Sequence, residues 1–359
     1  MKKNIFLALT LVILTACHKE APVPSLKERY EKYFPIGAAV GQKQLQGLDS
    51  ALLAHHFSSL TAENDMKVSR TIKSMQEFSF TAGEHLVDFA ERHGMQMRGH
   101  TLVWYHQTPG WFYRDSLGHY LSKEQLLQRM RWYIHRVLDH YRGRIYAWDV
   151  VNEAVADGSA TFYRENIDWY RICGPEYIKK AFVYAHEADP TIKLFYNDYD
   201  LINPVKRDKV YKMVKEMIDE GIPIHGIGMQ GHWTLEDVNE QNLSAAIDVF
   251  ASLGVEVQIT ELDISVYPYY HNMDRSTLPK EVKPYTPELA KQLADKYEEV
   301  FQVLREKSEK ITGVTFWGVT DKKTWLSNYV VKGRTDYPLL FDSLYQPKEA
   351  FWKVVEFGE

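Results

Sequence analysis

The chain has little of what marks a specialised protein. Two cysteines, Cys17 and Cys173, in 359 residues exclude a disulfide scaffold, so stability must come from an apolar core. No Cys/His spacing suits zinc and His-Glu-x-x-His does not occur among the 14 histidines, so no metal is expected. Charge of one sign is not concentrated anywhere: 43 basic residues stand against 48 acidic ones, a net charge of −5, and a nucleic-acid partner is excluded. No apolar run reaches the roughly 20 residues that cross a bilayer. No internal repeat is visible and no Pro/Ser-rich linker separates two modules. With 45% hydrophobic and 25% charged residues, a disordered chain is excluded and the length allows a large core.

The N-terminus reads as an address. Lys2 and Lys3 precede a short apolar segment, residues 5–14, which has the pattern of an export signal. Leu14-Thr15-Ala16-Cys17 resembles the processing box of bacterial lipoproteins, in which small residues admit the peptidase and the new N-terminal cysteine carries acyl chains. The expected organisation is a signal peptide over residues 1–16, a lipidated Cys17 with a polar tether to residue 33, and one domain over residues 34–359. Such a protein is expected at the bacterial cell envelope, membrane-attached through Cys17, periplasmic or surface-exposed, and monomeric. Cys173 is expected to be a small buried hydrophobe.

Within the domain, apolar strand-like runs recur at residues 35–40, 59–63, 96–104, 146–153, 193–197, 226–232, 256–263 and 313–318, with helical stretches between them. Asn203-Pro204 starts a helix that Gly221 stops, and Thr286-Pro287 starts another carrying Leu289, Leu293 and Tyr297 on its apolar face. Hydrophobicity is continuous rather than alternating, which predicts a parallel sheet covered on both faces. The fold expected is α/β, a single-domain (β/α)8 TIM barrel with its working residues at the C-terminal strand ends.

Two of those runs end on an acid. Residues 147–153 close on Asn152-Glu153, and residues 255–263 carry Glu261 and Asp263. A buried carboxylate is costly unless it is partnered or used. Cleaving a glycosidic bond uses two: a protonated carboxyl that gives a proton to the leaving oxygen, and a carboxylate that attacks or stabilises the sugar. The 9 Trp and 23 Tyr supply flat faces for sugar rings or for core packing. Long connections at residues 265–285 and 319–342, rich in Tyr and Trp, are expected to wall the cleft.

The surroundings of these acids make the chain similar to glycoside hydrolase family 10, the retaining endo-β-1,4-xylanases. Matching segments stand in family order: residues 61–67 (TAENDMK), 99–104 (GHTLVW), 148–154, 197–199 (NDY), 230–232 (QGH) and 259–263 (ITELD), with Trp317 and Trp325. The resemblance implies that Glu153 is the acid/base and Glu261 the nucleophile. It implies that His232 links Glu261 to Asp263, that Asn152 meets the sugar 2-hydroxyl, and that His100 and Asp149 support the acid side. Glu63, Asn64, Lys67 and Gln230 would hold the sugar chain, Trp104 and Trp317 would pack on the sugar at the cleavage point, Trp325 would cap that end, and Tyr199 would stack beyond the bond or support a loop. No cofactor is implied.

Three positions depart from the family pattern: Tyr105-His106 where a histidine usually follows the tryptophan, Val68 where an aromatic is frequent, and Asp200 in place of a common asparagine. Residues 226–231 satisfy G-x-G-x-x-G, but His232-Trp233-Thr234 follows instead of an apolar helix, which argues against a dinucleotide. Rival readings are a β-glycanase of the same clan acting on cellulosic, mixed-linkage or short xylooligosaccharide chains, and a non-catalytic glycan-binding lipoprotein.

Overall fold

A computed structural model of the protein describes residues 23–268, 274–278 and 280–358; the export segment and Cys17 lie outside the described residues. Eight parallel strands form the barrel: β1 (Ile36–Val40), β2 (Ser59–Ala62), β3 (Gln96–Val103), β4 (Ala147–Asn152), β5 (Lys193–Asp198), β6 (Gly226–Met229), β7 (Glu256–Ser265) and β8 (Ile311–Phe316). Each pairs with its sequence neighbour, and β1 pairs with β8 at Ile36↔Val314, which closes the sheet. All residues of β1, β2 and β4 are buried. Side chains pointing outward meet the ring of helices and those pointing inward fill the barrel, so neither set can be polar without a partner.

The helices begin where the sequence says they should. The Asn203 side chain accepts from Val205 N–H with Pro204 in the first turn, and the Thr286 hydroxyl accepts from Leu289 N–H ahead of Pro287. Leu289, Leu293 and Tyr297 are buried on the inner face of Pro287–Glu306. Cys173 is buried at the end of Asp168–Cys173. No helix among the described residues is long and apolar enough to cross a membrane.

Two expectations change. The sixth strand was expected to run through His232; instead β6 stops at Met229, the chain turns at Gly231 (φ +82°), and His232–Thr234 pairs separately with the end of β7, His232 opposite Asp263. A Cβ at Gly231 would come within 2.8 Å of Ile259 Cγ2, so glycine is required by both conformation and space. The glycine-rich run is therefore a strand and a kink, with no phosphate cradle. The second change concerns residues 25–33, expected as the end of a tether. Leu26 and Tyr30 are fully buried, the Tyr30 hydroxyl donates to Val354 O at 2.7 Å, Arg29 Nε donates to Val355 O at 3.0 Å, and the Ser25 hydroxyl donates to His55 O at 2.6 Å. This segment is part of the barrel because its apolar residues, spaced four apart, find a slot between the helix ends at the N-terminal face.

Leu26→Ala is expected to lower the unfolding free energy by about 2–5 kcal/mol in urea titration, the usual result of emptying a buried leucine site. A change within about 0.5 kcal/mol, as at an exposed surface site, would return residues 25–33 to the tether.

Candidate active site

The chain leaves β4 through Glu153, which takes a left-handed backbone conformation (φ +57°). A non-glycine residue there stores about 1–3 kcal/mol of strain. Its main chain is held on both sides: the N–H donates to Asn197 O at 2.9 Å and the carbonyl accepts from Arg164 Nε at 3.0 Å. The carboxylate, 8% exposed, accepts four hydrogen bonds from neutral donors. Trp104 Nε1 (3.0 Å) and the Tyr105 hydroxyl (3.2 Å) donate to Oε2; Asn152 Nδ2 (3.1 Å) and Gln230 Nε2 (3.0 Å) donate to Oε1.

Glu261, on β7, is in charged company. Its Oε1 accepts from Asn197 Nδ2 at 2.7 Å and its Oε2 lies 3.1 Å from His232 Nε2. His232 Nδ1 is 2.9 Å from Asp263 Oδ1, and Asp263 Oδ2 accepts from Trp325 Nε1 at 2.7 Å. Burial opposes charge on His232, but the carboxylates of Asp263 and Glu261 outweigh it and push the imidazole up to about 10. Burial would raise the Glu261 carboxyl; the hydrogen bond from His232 and the charges of His100, His232 and Lys67 instead hold it below the usual range. At neutral pH this is a carboxylate pinned against an imidazolium.

Asn197 joins the two acids. Its Nδ2 donates to Asn152 Oδ1 at 2.9 Å as well as to Glu261, and its Oδ1 accepts from the Thr260 hydroxyl at 2.6 Å. Asn197 sits opposite Gly228 on β6, where a Cβ would stand 2.2 Å from Asn197 Oδ1. The glycine makes room for the amide that bridges the site.

On the β2 side, Asn64 Nδ2 donates to Glu63 Oε1 at 2.9 Å and Lys67 Nζ donates to Asn64 Oδ1 at 3.1 Å. Lys67 Nζ lies 4.7 Å from the Trp104 ring and 5.9 Å from that of Trp317. Burial lowers the Lys67 amine and raises the Glu63 carboxyl, each opposed by the other's charge. Trp317 meets His100 edge-on at 5.2 Å.

Most of the expected residues thus converge on one rim, with some changes of place. Asp149 lies inside the barrel, fully buried, held by Arg98 NH2 at 2.6 Å and by His100 Nδ1 at 2.9 Å, and not by Glu153. His100, held by Asp149, also meets the Trp317 ring edge-on, and neither of the pair is hydrogen-bonded to Glu153. Tyr199 supports a loop: its hydroxyl donates to Asp157 at 2.6 Å, and Lys206 Nζ lies 3.4 Å over its ring. Val68 is buried in the short helix after Lys67. Asp200 takes φ +58°, and burial pushes its carboxyl up to about 7. Asn197, Tyr105, Arg98 and Arg164 were missed as site residues. Two carried a signal: Asn197 stands at the end of an apolar run as Glu153 does, and Tyr105 is a departure from the family pattern beside Trp104. Among the described residues, no group of three or more His, Cys, Asp or Glu could hold a metal ion.

Chemically, the rim offers one carboxyl lined by neutral donors and one carboxylate stabilised by cations, beside indoles and a hydrogen-bonded Glu63/Asn64/Lys67 group. That is a set suited to acid-assisted displacement at a sugar acetal.

Comparison with known proteins agrees. The profile of the family described as Glycosyl hydrolase family 10 matches residues 25–357. A β-1,4-xylanase of Dictyoglomus thermophilum is 48% identical, over 98% of this chain and 96% of its own. An endo-1,4-β-xylanase of Geobacillus stearothermophilus is 45% identical, over 93% of this chain and 98% of its own. Among solved structures, a xylanase from Paenibacillus barcinonensis complexed with a conduramine derivative superposes with a TM-score of 0.89 at 42% identity, covering 94% of this chain and 99% of that one.

The raised imidazole has a consequence for stability. A histidine whose folded value is about 10 against roughly 6.5 unfolded contributes fully below the unfolded value and loses its contribution as pH rises through the folded one. The excess unfolding free energy of the wild type over His232→Gln is therefore expected to shrink from about pH 6.5 and to level off above about pH 10, where its proton-linked part is lost. An excess that stays constant to pH 10 in urea titrations would show His232 neutral in the fold.

Proposed function

The chain belongs to glycosyl hydrolase family 10, and on that footing we propose that it hydrolyses internal β-1,4-xylosidic bonds of xylan with retention, using Glu153 as acid/base and Glu261 as nucleophile. The observation that carries the division of labour is the contrast in partners. Glu261 faces an imidazolium and an ammonium, which keep it ionised and able to attack; Glu153 takes its hydrogen bonds from neutral groups.

In the first step Glu261 attacks the anomeric carbon while Glu153 gives its proton to the departing glycosidic oxygen, leaving a glycosyl ester on Glu261 and a carboxylate on Glu153. In the second step Glu153 takes a proton from water, whose oxygen attacks the same carbon and expels Glu261. One Asn152 Nδ2 hydrogen is used on Glu153 and the other remains for the sugar 2-hydroxyl. Lys67, Glu63 and Asn64 form a hydroxyl-binding group beside Trp104 and Trp317, which supports binding of a sugar on that side of the cleaved bond. The carboxylate formed on Glu153 is met by four donors, so its charge needs no rearrangement of the site.

Glu153→Ala is expected to reduce turnover of xylan by about 10²–10⁴-fold, the usual worth of a general acid, while azide restores cleavage of activated aryl xylosides and yields the β-xylosyl azide. Failure of azide to act would reassign Glu153. Glu261→Ala is expected to be inert on xylan in a reducing-sugar assay, and substantial residual activity would remove it as nucleophile.

We further propose that residues 1–16 are an export signal and that Cys17 carries the lipid that holds the enzyme on the cell envelope. The basis is the Lys-flanked apolar run ending in Leu-Thr-Ala-Cys. With the domain starting by Ser25, the spacer is shorter than the composition suggested. Wild-type enzyme made in its host should enter the detergent phase on cloud-point partition, and Cys17→Ala the aqueous phase with xylan hydrolysis unchanged. Equal partition of the two would sink the anchor.

A further inference from the structure

The reading above makes Glu153 a proton donor whose aim matters, yet Glu153 sits in a backbone conformation that its residue type does not favour. Part of what holds it there comes from β5, through Asn197 O and the Tyr196 hydroxyl, and part from the loop that follows. Eleven residues downstream, Arg164 folds back, its N–H donating to Ala154 O at 3.0 Å and its Nε to the Glu153 carbonyl at 3.0 Å. Its guanidinium is bonded to both oxygens of Asp157 at 3.0 Å and to the Tyr199 hydroxyl. It also stands 5.4 Å from the centre of the Tyr105 ring, whose hydroxyl touches Glu153 Oε2. One side chain therefore holds the Glu153 main chain and backs a group that holds the Glu153 carboxylate.

Asp157 is anchored in turn by Lys206 Nζ at 2.8 Å, and Lys209 Nζ ties the same loop through Ala156 O at 2.8 Å and Thr161 O at 2.7 Å. The guanidinium thus has a fixed seat rather than a free end. The same peptide is held at its other end by the Tyr196 hydroxyl, which accepts from Ala154 N–H at 3.1 Å, and Arg164 adds the tie on the carbonyl oxygen that opposes rotation of Glu153 out of the left-handed region. That rotation would swing the Cα–Cβ bond and turn the carboxyl away from the leaving oxygen. Lysine cannot substitute, since one ammonium cannot reach a carbonyl, a carboxylate and a phenol in one plane.

We propose that Arg164 is a positioning residue for the acid/base: it clamps Glu153, directly through the carbonyl and indirectly through Tyr105, in the orientation from which the proton is delivered. This rests on Glu153 being the acid/base, and the test separates the two claims. Substrates with a poor leaving group need the proton; those with a 2,4-dinitrophenolate leaving group do not.

For Arg164→Lys, kcat/KM on xylopentaose is expected to fall about 100-fold with KM little changed, while the loss on 2,4-dinitrophenyl β-xylobioside is smaller by at least about 10-fold. A purely structural role would lower both alike, so a ratio of losses under about 10 overturns the proposal. If Arg164→Lys does not fold by circular dichroism, the same ratio is read on Asp157→Asn, which unseats the guanidinium without touching Glu153. Glu153→Ala is measured alongside. If it fails to show the leaving-group split, the acid/base reading is wrong; if it shows the split and the Arg164 and Asp157 variants do not, only the clamp is.

Discussion

The hydrogen bonds that Asn197 donates to Glu261 and to Asn152, and that Asn152 passes on to Glu153, set the terms for everything else at the rim. Two carboxylates are held nearly dry at one end of the barrel, joined through two amides, in a medium where like charges repel far more than in water. Amides are the right linkers because they are neutral and carry both donor and acceptor. Each carboxylate is then dealt with separately, one by the His232 imidazolium and Lys67 and the other by indole, phenol and amide donors.

That arrangement imposes demands on the barrel. An amide can lie across its mouth only if the strand beside it gives way, and Gly228 does so opposite Asn197. His232 can stand between Glu261 and Asp263 only if β6 ends early, and the kink at Gly231 moves the chain into register with the end of β7. Deeper in the barrel, the Arg98–Asp149 pair fixes His100 from below. A buried ion pair of this kind contributes orientation more securely than stability. Even the N-terminal segment serves the same rigidity, tying the helix ends at the face opposite the site.

Much of this was legible beforehand, for reasons that can be named. β4 and β7 are visible as strands because burial on both faces forces continuous apolar residues, and Glu153 and Glu261 stand out because an acid there breaks the run. The helices starting at Pro204 and Pro287 are visible because capping is a contact between residues two or three apart. Leu26 and Tyr30 were misjudged because, amid charged neighbours, they carry too little hydrophobicity to signal burial, and the slot that receives them is built from residues 30 to over 300 positions away.

The local pattern of apolar and polar residues was enough for eight strand and helix units and for two acids on the same end of the barrel, because these depend on neighbours along the chain; the chemistry was indicated by the ordered set of family motifs. Which donor meets which oxygen was a matter of three dimensions. Tyr105, a departure from the family pattern, reaches the Glu153 carboxylate across 48 positions, and Asn197 reaches Glu261 across 64. Tyr199 turned out to brace a loop against Asp157. The charge on His232 follows from two carboxylates that only the pairing of His232–Thr234 with β7 brings to its two nitrogens, since a titration depends on distance through space and not along the chain.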